Sequence, residues 1–296
     1  MTDDRTESAR RYLHAAAAAA GLSPVGAEII RLAENDLWRL PGGTVVRISR
    51  AGQDTAAARE VAVTRWLARH AFPAVRPLPI AQPLLADGRP ATYWQELPPH
   101  RPGTAADLAP LLRRLHHLPV PSELPLGRAD PFVRLDQRLT AARTLAPADR
   151  DFLLARLDDL RGAYAELPPG RPDSVIHGDA WGGNCAVTRD GQVTLLDFER
   201  TSLGCPEWDL TSTAIALDTT GTLTTEAYDA FCTAYGDDVR QWPGYPVLRS
   251  IRELRMITFA VQAADHDPRA LEQARYRIAC VRGEHGPRPW RWTAAA

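Results

Sequence analysis

The sequence predicts an α+β chain in two parts: a small antiparallel sheet carrying one inserted helix, then a larger and mainly helical region. Three observations carry this expectation. Residues 24–97 hold short alternating or β-branched runs separated by Gly-containing turns, which is hairpin spacing. From Thr104 onward the apolar positions recur with helical period over several long stretches. Between the two regions, Pro98-Pro99-His100-Arg101-Pro102-Gly103 is the densest proline cluster in the chain and reads as a hinge.

The elements follow in order. Glu7 to Ala20 reads as a helix rich in alanine, stopped by Gly21. Pro24 to Leu32, Asp36 to Leu40 and Thr44 to Ser49 read as strands, the last two joined by Pro41-Gly42-Gly43. Asp54 to His70 has helical periodicity, with Val61, Val63, Trp66 and Leu67 as apolar positions. Ile80 to Leu85 and Ala91 to Leu97 form a second hairpin around Asp87-Gly88. Beyond the proline cluster, Thr104 caps a helix to Leu118, and further helices are expected over Asp130–Arg143, Pro147–Leu167, Glu207–Asp218, Thr225–Tyr235, Pro246–Ala264 and Pro268–Val281. The tail from Gly286 to Ala296 has weak local propensity but two tryptophans, so it is expected to pack on the helical part.

Composition narrows the function classes. With 296 residues and 45% apolar content the chain can bury one large core or two modest ones. A net charge of −1 argues against nucleic acid as the main partner, because a phosphate-backbone binder carries a basic excess. The six-residue run Ala15 to Ala20 is too short to span a membrane and lacks a signal-peptide layout. Cys185, Cys205, Cys232 and Cys280 form no C-x-x-C pair, so neither a zinc site nor a disulfide framework is indicated, and a cytoplasmic location is expected. The chain contains no lysine, so all 35 basic residues are arginine.

The stretch from Val175 to Glu199 holds the chemistry. Two short apolar strands bracket His177-Gly178-Asp179 and Asn184, and Asp197-Phe198-Glu199 closes the second strand after a turn at Asp190-Gly191. A carboxylate to receive a hydroxyl proton and two oxygen ligands for Mg²⁺ are what phosphoryl transfer asks of a protein. The form His-Gly-Asp-x-x-x-x-Asn followed by Asp-Phe-Glu resembles the aminoglycoside phosphotransferase and choline kinase family of the protein-kinase-like superfamily. Its Trp-Gly-Gly-Asn variant is also similar to fructosamine kinases.

That resemblance implies a two-lobed protein-kinase-like fold: a nucleotide-binding lobe over 1–97, a hinge at 98–103 and a catalytic and acceptor-binding lobe over 104–296. It makes Asp179 the catalytic base and assigns Asn184 and Asp197 to Mg²⁺. His177 takes a structural role, and Asp209, in Gly204-Cys205-Pro206-Glu207-Trp208-Asp209-Leu210, braces the catalytic loop through backbone hydrogen bonds. Glu199 either reaches the metal's water shell or forms a salt bridge. Arg47 stands on the third strand where related folds place a phosphate-gripping lysine, and is expected to contact phosphate and to pair with Glu60. The swap is not conservative, because guanidinium is planar and forked.

No Gly-x-Gly-x-x-Gly flap is present, and Asn35 in Ala33-Glu34-Asn35-Asp36 either offers amide contacts to the γ-phosphate or belongs to a plain turn. Adenine is expected against the backbone of Gln95, Glu96 and Leu97. From Thr201 onward, twelve acidic residues stand against ten arginines, an excess too slight to select a cationic acceptor. Glu253, Asp237 and Asp238 are the acidic candidates for acceptor binding. Trp208, Trp242, Trp290 and Trp292 can stack on a ring or fill the core. The Leu115-His116 pair is read as packing.

The leading reading is a kinase transferring the γ-phosphate of ATP or GTP to a hydroxyl of an antibiotic, amino sugar or related metabolite, with a role in antibiotic resistance or as a fructosamine or sugar kinase. The alternative is an inactive nucleotide-binding regulator, motivated by Arg47 and the missing flap. A protein kinase is disfavoured: the Ala-Pro-Glu signature is absent, and Pro206 follows Asp197 by only nine positions, too few for an activation loop.

Overall fold

The computed structural model describes residues 2–124, 126–265 and 267–293. The end of the tail, beyond 293, lies outside the described residues. The chain divides into two compact units, the first holding Met1–Leu111, Leu118–Leu126 and Gly182–Thr201, the second Leu112–His117, Gly127–Trp181 and Ser202–Ala296.

The first unit is built on a five-stranded antiparallel sheet of β1 (Glu28–Leu32), β2 (Asp36–Leu40), β3 (Thr44–Ile48), β4 (Leu84–Ala86) and β5 (Arg89–Gln95), in the order β1-β2-β3-β5-β4. Helix α1 (Thr2–Ala19) lays Ala9, Leu13 and Ala16 onto Trp38, Val46, Ile48 and Tyr93 of this sheet. Tyr93 donates its hydroxyl proton to the Ala16 carbonyl at 2.7 Å, so the buried ring keeps a partner for its polar end. The alanine run that reads only as helix propensity therefore also lets the helix approach the sheet closely.

Helix α2 (Asp54–Arg69) is inserted between β3 and β4, as expected, and buries Val61, Val63, Trp66 and Leu67. The proline-rich segment expected as a hinge contains a strand, β6 (His100–Pro102), which pairs with β8 (Cys185–Thr188). β8 in turn pairs with β9 (Val193–Leu195). This small sheet is tied to the segment after α2, where Leu195 donates to Pro73 O at 2.9 Å and accepts from Val75 N at 3.2 Å. Helix α3 (Ala105–His116) starts with a reciprocal cap: Thr104 Oγ1 accepts from Asp107 N at 3.2 Å, and Asp107 Oδ2 accepts from Thr104 N at 2.8 Å.

The second unit is mainly helical. Helices α4 (Leu135–Ala141), α5 (Pro147–Ala165), α6 (Glu207–Asp218), α7 (Thr225–Tyr235), α8 (Tyr245–Ala264) and α9 (Pro268–Val281) accompany the strand pair β7 (Ser174–Ile176) and β10 (Ser202–Gly204). Leu139, Leu157, Leu248, Ile251, Leu254, Ile257 and Ile278 share one core with Trp208, Trp290 and Trp292. Trp290 and Trp292 stack with centroids 5.3 Å apart, and Trp242 donates to Pro169 O at 3.0 Å. These rings pack or cap the protein's own structure. The expected Asp130–Arg143 helix shortens to Leu135–Ala141, because Phe132 N is taken by Asp130 Oδ1 at 2.8 Å in a local turn and Arg134 adopts a left-handed conformation. Among the described residues, no helix is long and apolar enough to cross a membrane.

Candidate active site

In the first unit, β3 carries Arg47 and α2 carries Glu60, which is only 3% exposed. Arg47 Nη1 donates to Glu60 Oε1 at 3.0 Å and Oε2 at 2.9 Å, so the expected pair is present. The same Nη1 reaches Asp197 Oδ1 at 3.3 Å, and Nη2 reaches Glu199 Oε2 at 2.5 Å. With its carboxamide turned so that oxygen faces the guanidinium, Asn35 accepts from Arg47 Nε at 3.2 Å and Nη2 at 2.7 Å. One guanidinium thus gathers four of the residues singled out in the sequence. It also spends its fork on the protein itself, and of the two options open for Glu199 the structure shows the salt bridge.

The electrostatics follow from crowding. Burial pushes the Glu60 carboxyl up to about 7, against the attraction of Arg47, and Asp197 and Glu199 add to the rise. Burial and then Asp197 also raise Glu199. Burial opposes the charge on Arg47, but Glu60, Asp197 and Glu199 together hold it above the ordinary guanidinium range.

Asn184 and Asp197 bracket the β8–β9 hairpin. Cys185 pairs with Leu195, and Leu196 N donates to Asn184 O at 2.9 Å, so both candidate metal ligands emerge from the same end of the ladder. Asp197 is left-handed, with φ of 61°, which turns the chain sharply into the 3₁₀ turn Phe198–Arg200. Ahead of Asn184, Gly182 lies against Gly103, whose N–H donates to Gly182 O at 3.1 Å. A Cβ on Gly182 would sit 2.5 Å from Gly103 O, so that position of the Trp-Gly-Gly-Asn motif must be glycine.

The donor set suits Mg²⁺. One carboxamide and one carboxylate are hard oxygen ligands, and three carboxylates around Arg47 exceed its single charge, an imbalance a divalent cation offsets. Among the described residues no group of three His, Cys, Asp or Glu is placed to hold a metal. Water and phosphate would complete the shell, as Mg²⁺ prefers.

Gln95 ends β5, and Glu96 and Leu97 follow it. Gln95 N donates to Arg76 O and Glu96 N to Gly43 O, both at 2.8 Å, while the Glu96 carboxylate accepts from Arg39 Nε at 2.5 Å. Two of the three backbone donors expected to meet adenine are therefore committed within the protein.

The second unit holds Asp179. The fully buried carboxylate of Asp209 accepts from His177 N at 2.7 Å, Gly178 N at 2.8 Å and His116 Nε2 at 3.0 Å. Burial pushes this carboxyl up, but the bond and charge of His116, with His177, hold it below the usual range. His116 Nδ1 meets the Tyr235 hydroxyl at 2.9 Å, so His116 is a polar brace for the loop, while Leu115 is buried as its packing reading implies. The sequence showed the Leu-His pair but not its partner, which lies on another helix. Gly178 has φ of 84°, a conformation that glycine adopts without strain. His177 is buried, and its Nδ1 accepts from Asp179 N at 3.3 Å. Trp208 Nε1 reaches Gly178 O at 3.4 Å. Trp181, the tryptophan of the Trp-Gly-Gly-Asn motif in the same loop, is 57% exposed.

The acidic candidates for acceptor binding are each taken up by donors of the protein itself. Glu253 is buried and bidentate with Arg288, at 2.6 and 2.7 Å. Asp237 pairs with Arg171 at 2.6 Å. Asp238 accepts from the Tyr228 hydroxyl at 2.7 Å and from Arg240 N at 3.0 Å. Each is already bonded within its own unit.

Solved structures of similar fold include kinases and phosphotransferases. A choline/ethanolamine kinase family protein from Mesorhizobium loti aligns with TM-score 0.66 and 19% identity, covering 94% of both chains. Amicoumacin kinase hAmiN, in complex with AMP-PNP, Ca²⁺ and Ami, aligns with TM-score 0.66 and 15% identity over 90% of each chain. The aminoglycoside phosphotransferase APH(3'')-Id from Streptomyces rimosus aligns with TM-score 0.58 and 21% identity, covering 81% of this chain and 97% of that one. No curated protein matches in sequence. These likenesses show a kinase-like α+β fold. Residues 27–251 match the phosphotransferase enzyme family, APH, and the chain belongs to that family.

Proposed function

We propose that the protein is a small-molecule kinase that transfers the γ-phosphate of ATP or GTP to a hydroxyl of a small acceptor. The observation that carries this reading is the meeting of Arg47, Glu60 and Asp197 in the first unit, a cation and two carboxylates of the kind that handle a metal-bound nucleotide. Solved neighbours support it by name: one is an amicoumacin kinase bound to a nucleotide analogue and Ca²⁺, another a spectinomycin phosphotransferase bound to ADP and spectinomycin.

In this reading Asn184 and Asp197 hold Mg²⁺, which when bound neutralises phosphate charge. Asp179 accepts the proton of the attacking hydroxyl and directs its oxygen in line. His177 supports the loop, and Asp209 sets its backbone by taking the N–H groups of His177 and Gly178. Arg47 meets phosphate only by giving up part of its contact with Glu199 or Asn35. Adenine is met by Leu97 N–H and the neighbouring carbonyls, since the N–H groups of Gln95 and Glu96 are in use. Nucleotide contacts come from residues 1–97 and acceptor contacts from residues 104–296, on either side of 98–103. The role in antibiotic resistance and the cytoplasmic location belong to the same proposal.

The experiment is a screen of purified protein with Mg·ATP and Mg·GTP against antibiotics, sugars and nucleosides, reading ADP or GDP release. Asp179→Asn is expected to abolish turnover and leave nucleotide affinity within about twofold. Equal turnover in that variant removes Asp179 from the role. A second reading, an inactive nucleotide-binding relative, draws on the engagement of the Arg47 fork by Glu60, Asp197, Glu199 and Asn35. Nucleotide binding without turnover across the panel would favour it.

A further inference from the structure

The face that α1 turns to the sheet extends past its packed apolar residues. Ala9, Leu13 and Ala16 lie on that face, and Arg5, one turn before Ala9, shares it. Arg5 Nη2 donates to Ala33 O at 2.7 Å and to Asp36 Oδ1 at 3.3 Å. Ala33 and Asp36 flank Glu34 and Asn35 in the turn between β1 and β2. One guanidinium from a separate element therefore closes that turn across its mouth.

The two ends of the turn are not held alike. Asp36 is 4% exposed, and Arg89 pairs with it at 3.1 Å while its Nε donates to Ser49 O at 2.8 Å, so the start of β2 stays anchored without Arg5. Arg5 adds the grip on the Ala33 side. Glu34 and Arg50, both exposed, meet only at 3.6 Å, a weak tie. Beside the turn lies a cavity of about 880 Å³ lined by Arg5, Glu34, Asp36 and Arg50 among others, which leaves the turn room to shift.

The turn matters for what it carries. The Asn35 carboxamide oxygen accepts from Arg47 Nε at 3.2 Å and Nη2 at 2.7 Å. Glu60 and Asp197 take Nη1, so Nε and Nη2 form the edge of the guanidinium that a phosphate would engage in a two-bond fork. Asn35 and a phosphate therefore compete for the same pair of donors.

We infer that Arg5 is a positioning residue for Arg47: by closing the β1–β2 turn it keeps Asn35 on the guanidinium edge, an autoinhibitory contact that an incoming phosphate must displace. The inference rests on the nucleotide-binding part of the kinase reading. Without Arg5 the turn keeps its anchor at Asp36 and loses the one at Ala33, so Asn35 competes less well.

The test is calorimetric titration with Mg·ATP and, separately, with adenosine. Arg5→Ala is expected to bind Mg·ATP about threefold more tightly, the scale of one partly exposed ion pair, and adenosine unchanged, because the effect passes through phosphate donors alone. Arg5→Lys, which keeps the charge but not the fork, should fall between. Asn35→Ala should tighten Mg·ATP by itself, and Arg5→Ala added to it should change nothing further. If Arg5→Ala loses both ligands through misfolding, Asn35→Ala alone decides. Unchanged or weaker Mg·ATP binding in a folded Arg5→Ala, an equal shift for adenosine, weaker Mg·ATP binding in Asn35→Ala, or no Mg·ATP binding by the wild-type protein overturns the inference. Phosphate transfer is scored apart, by ADP release across the acceptor panel, so either reading can fail alone.

Discussion

Replacing Asp209 with alanine removes three bonds from one buried carboxylate, two of which it accepts from the backbone N–H groups of His177 and Gly178. Leaving a buried donor unsatisfied costs about 1–3 kcal/mol. Two such donors, with the loss of the His116 bond, put Asp209→Ala at about 3–5 kcal/mol, a large part of the roughly 5–15 kcal/mol that holds a domain together. Asp209→Asn keeps one oxygen for Gly178 N and offers its amide to His116, so it should cost about half as much. Urea unfolding measures the totals, and hydrogen exchange at the His177 and Gly178 amides localises the effect. Unchanged protection of those two amides in Asp209→Ala would refute the bracing argument even if global stability fell. The pH sign is set by the depressed carboxyl: its contribution is complete above the ordinary value of 3.8 and is lost as pH falls through the lower folded value.

Arg47→Ala should cost about 3–5 kcal/mol near pH 8, because it leaves the buried Glu60 charge uncompensated, and much less near pH 5, where Glu60 can protonate. The same penalty at both pH values in denaturant titrations would count against the buried-charge explanation. In the wild-type protein, Glu60 holds its proton more tightly when folded, near 7 against 4.5, so the stability it contributes is full below 4.5 and declines as pH rises to 7. At about 1.4 kcal/mol per unit the decline is about 3 kcal/mol, read from unfolding curves between pH 5 and 8; a flat profile would contradict it. Arg288→Ala should destabilise the second unit by about 3–5 kcal/mol by removing the guanidinium closest to buried Glu253, which keeps Thr219 as a close donor, while Glu284→Ala, as a control on an exposed position, should change stability by less than about 0.5 kcal/mol. Similar melting shifts for the two variants would show that Glu253 does not need its partner.

Local signals made much of this molecule legible in advance. Helix α7 runs over Thr225–Tyr235 as read, because Thr224 caps it by accepting from Ala227 N and Gly236 leaves it at φ of 95°. Helix α9 starts at Pro268 behind the Asp267 cap for the same reason. These boundaries depend on a residue and neighbours within one turn. Arg134 shows the limit: no residue type announces a left-handed arginine, and that conformation cuts short the helix read over 130–143.

The sequence by itself determined the family-bearing spacing of Asp179, Asn184 and Asp197, the strand position of Arg47 and the absence of lysine, since these are properties of order and composition. Only the tertiary structure decided which charges remain available. Glu253 reads as an open carboxylate until Arg288 is folded onto it, and His116 reads as packing until Asp209 reaches it from another helix. Arg47 likewise looks ready for phosphate in the sequence, whereas the fold surrounds it with Glu60, Asp197, Glu199 and Asn35. Long arginine side chains can choose among many distant acceptors, and burial and packing make that choice, so their pairing carries no local signature.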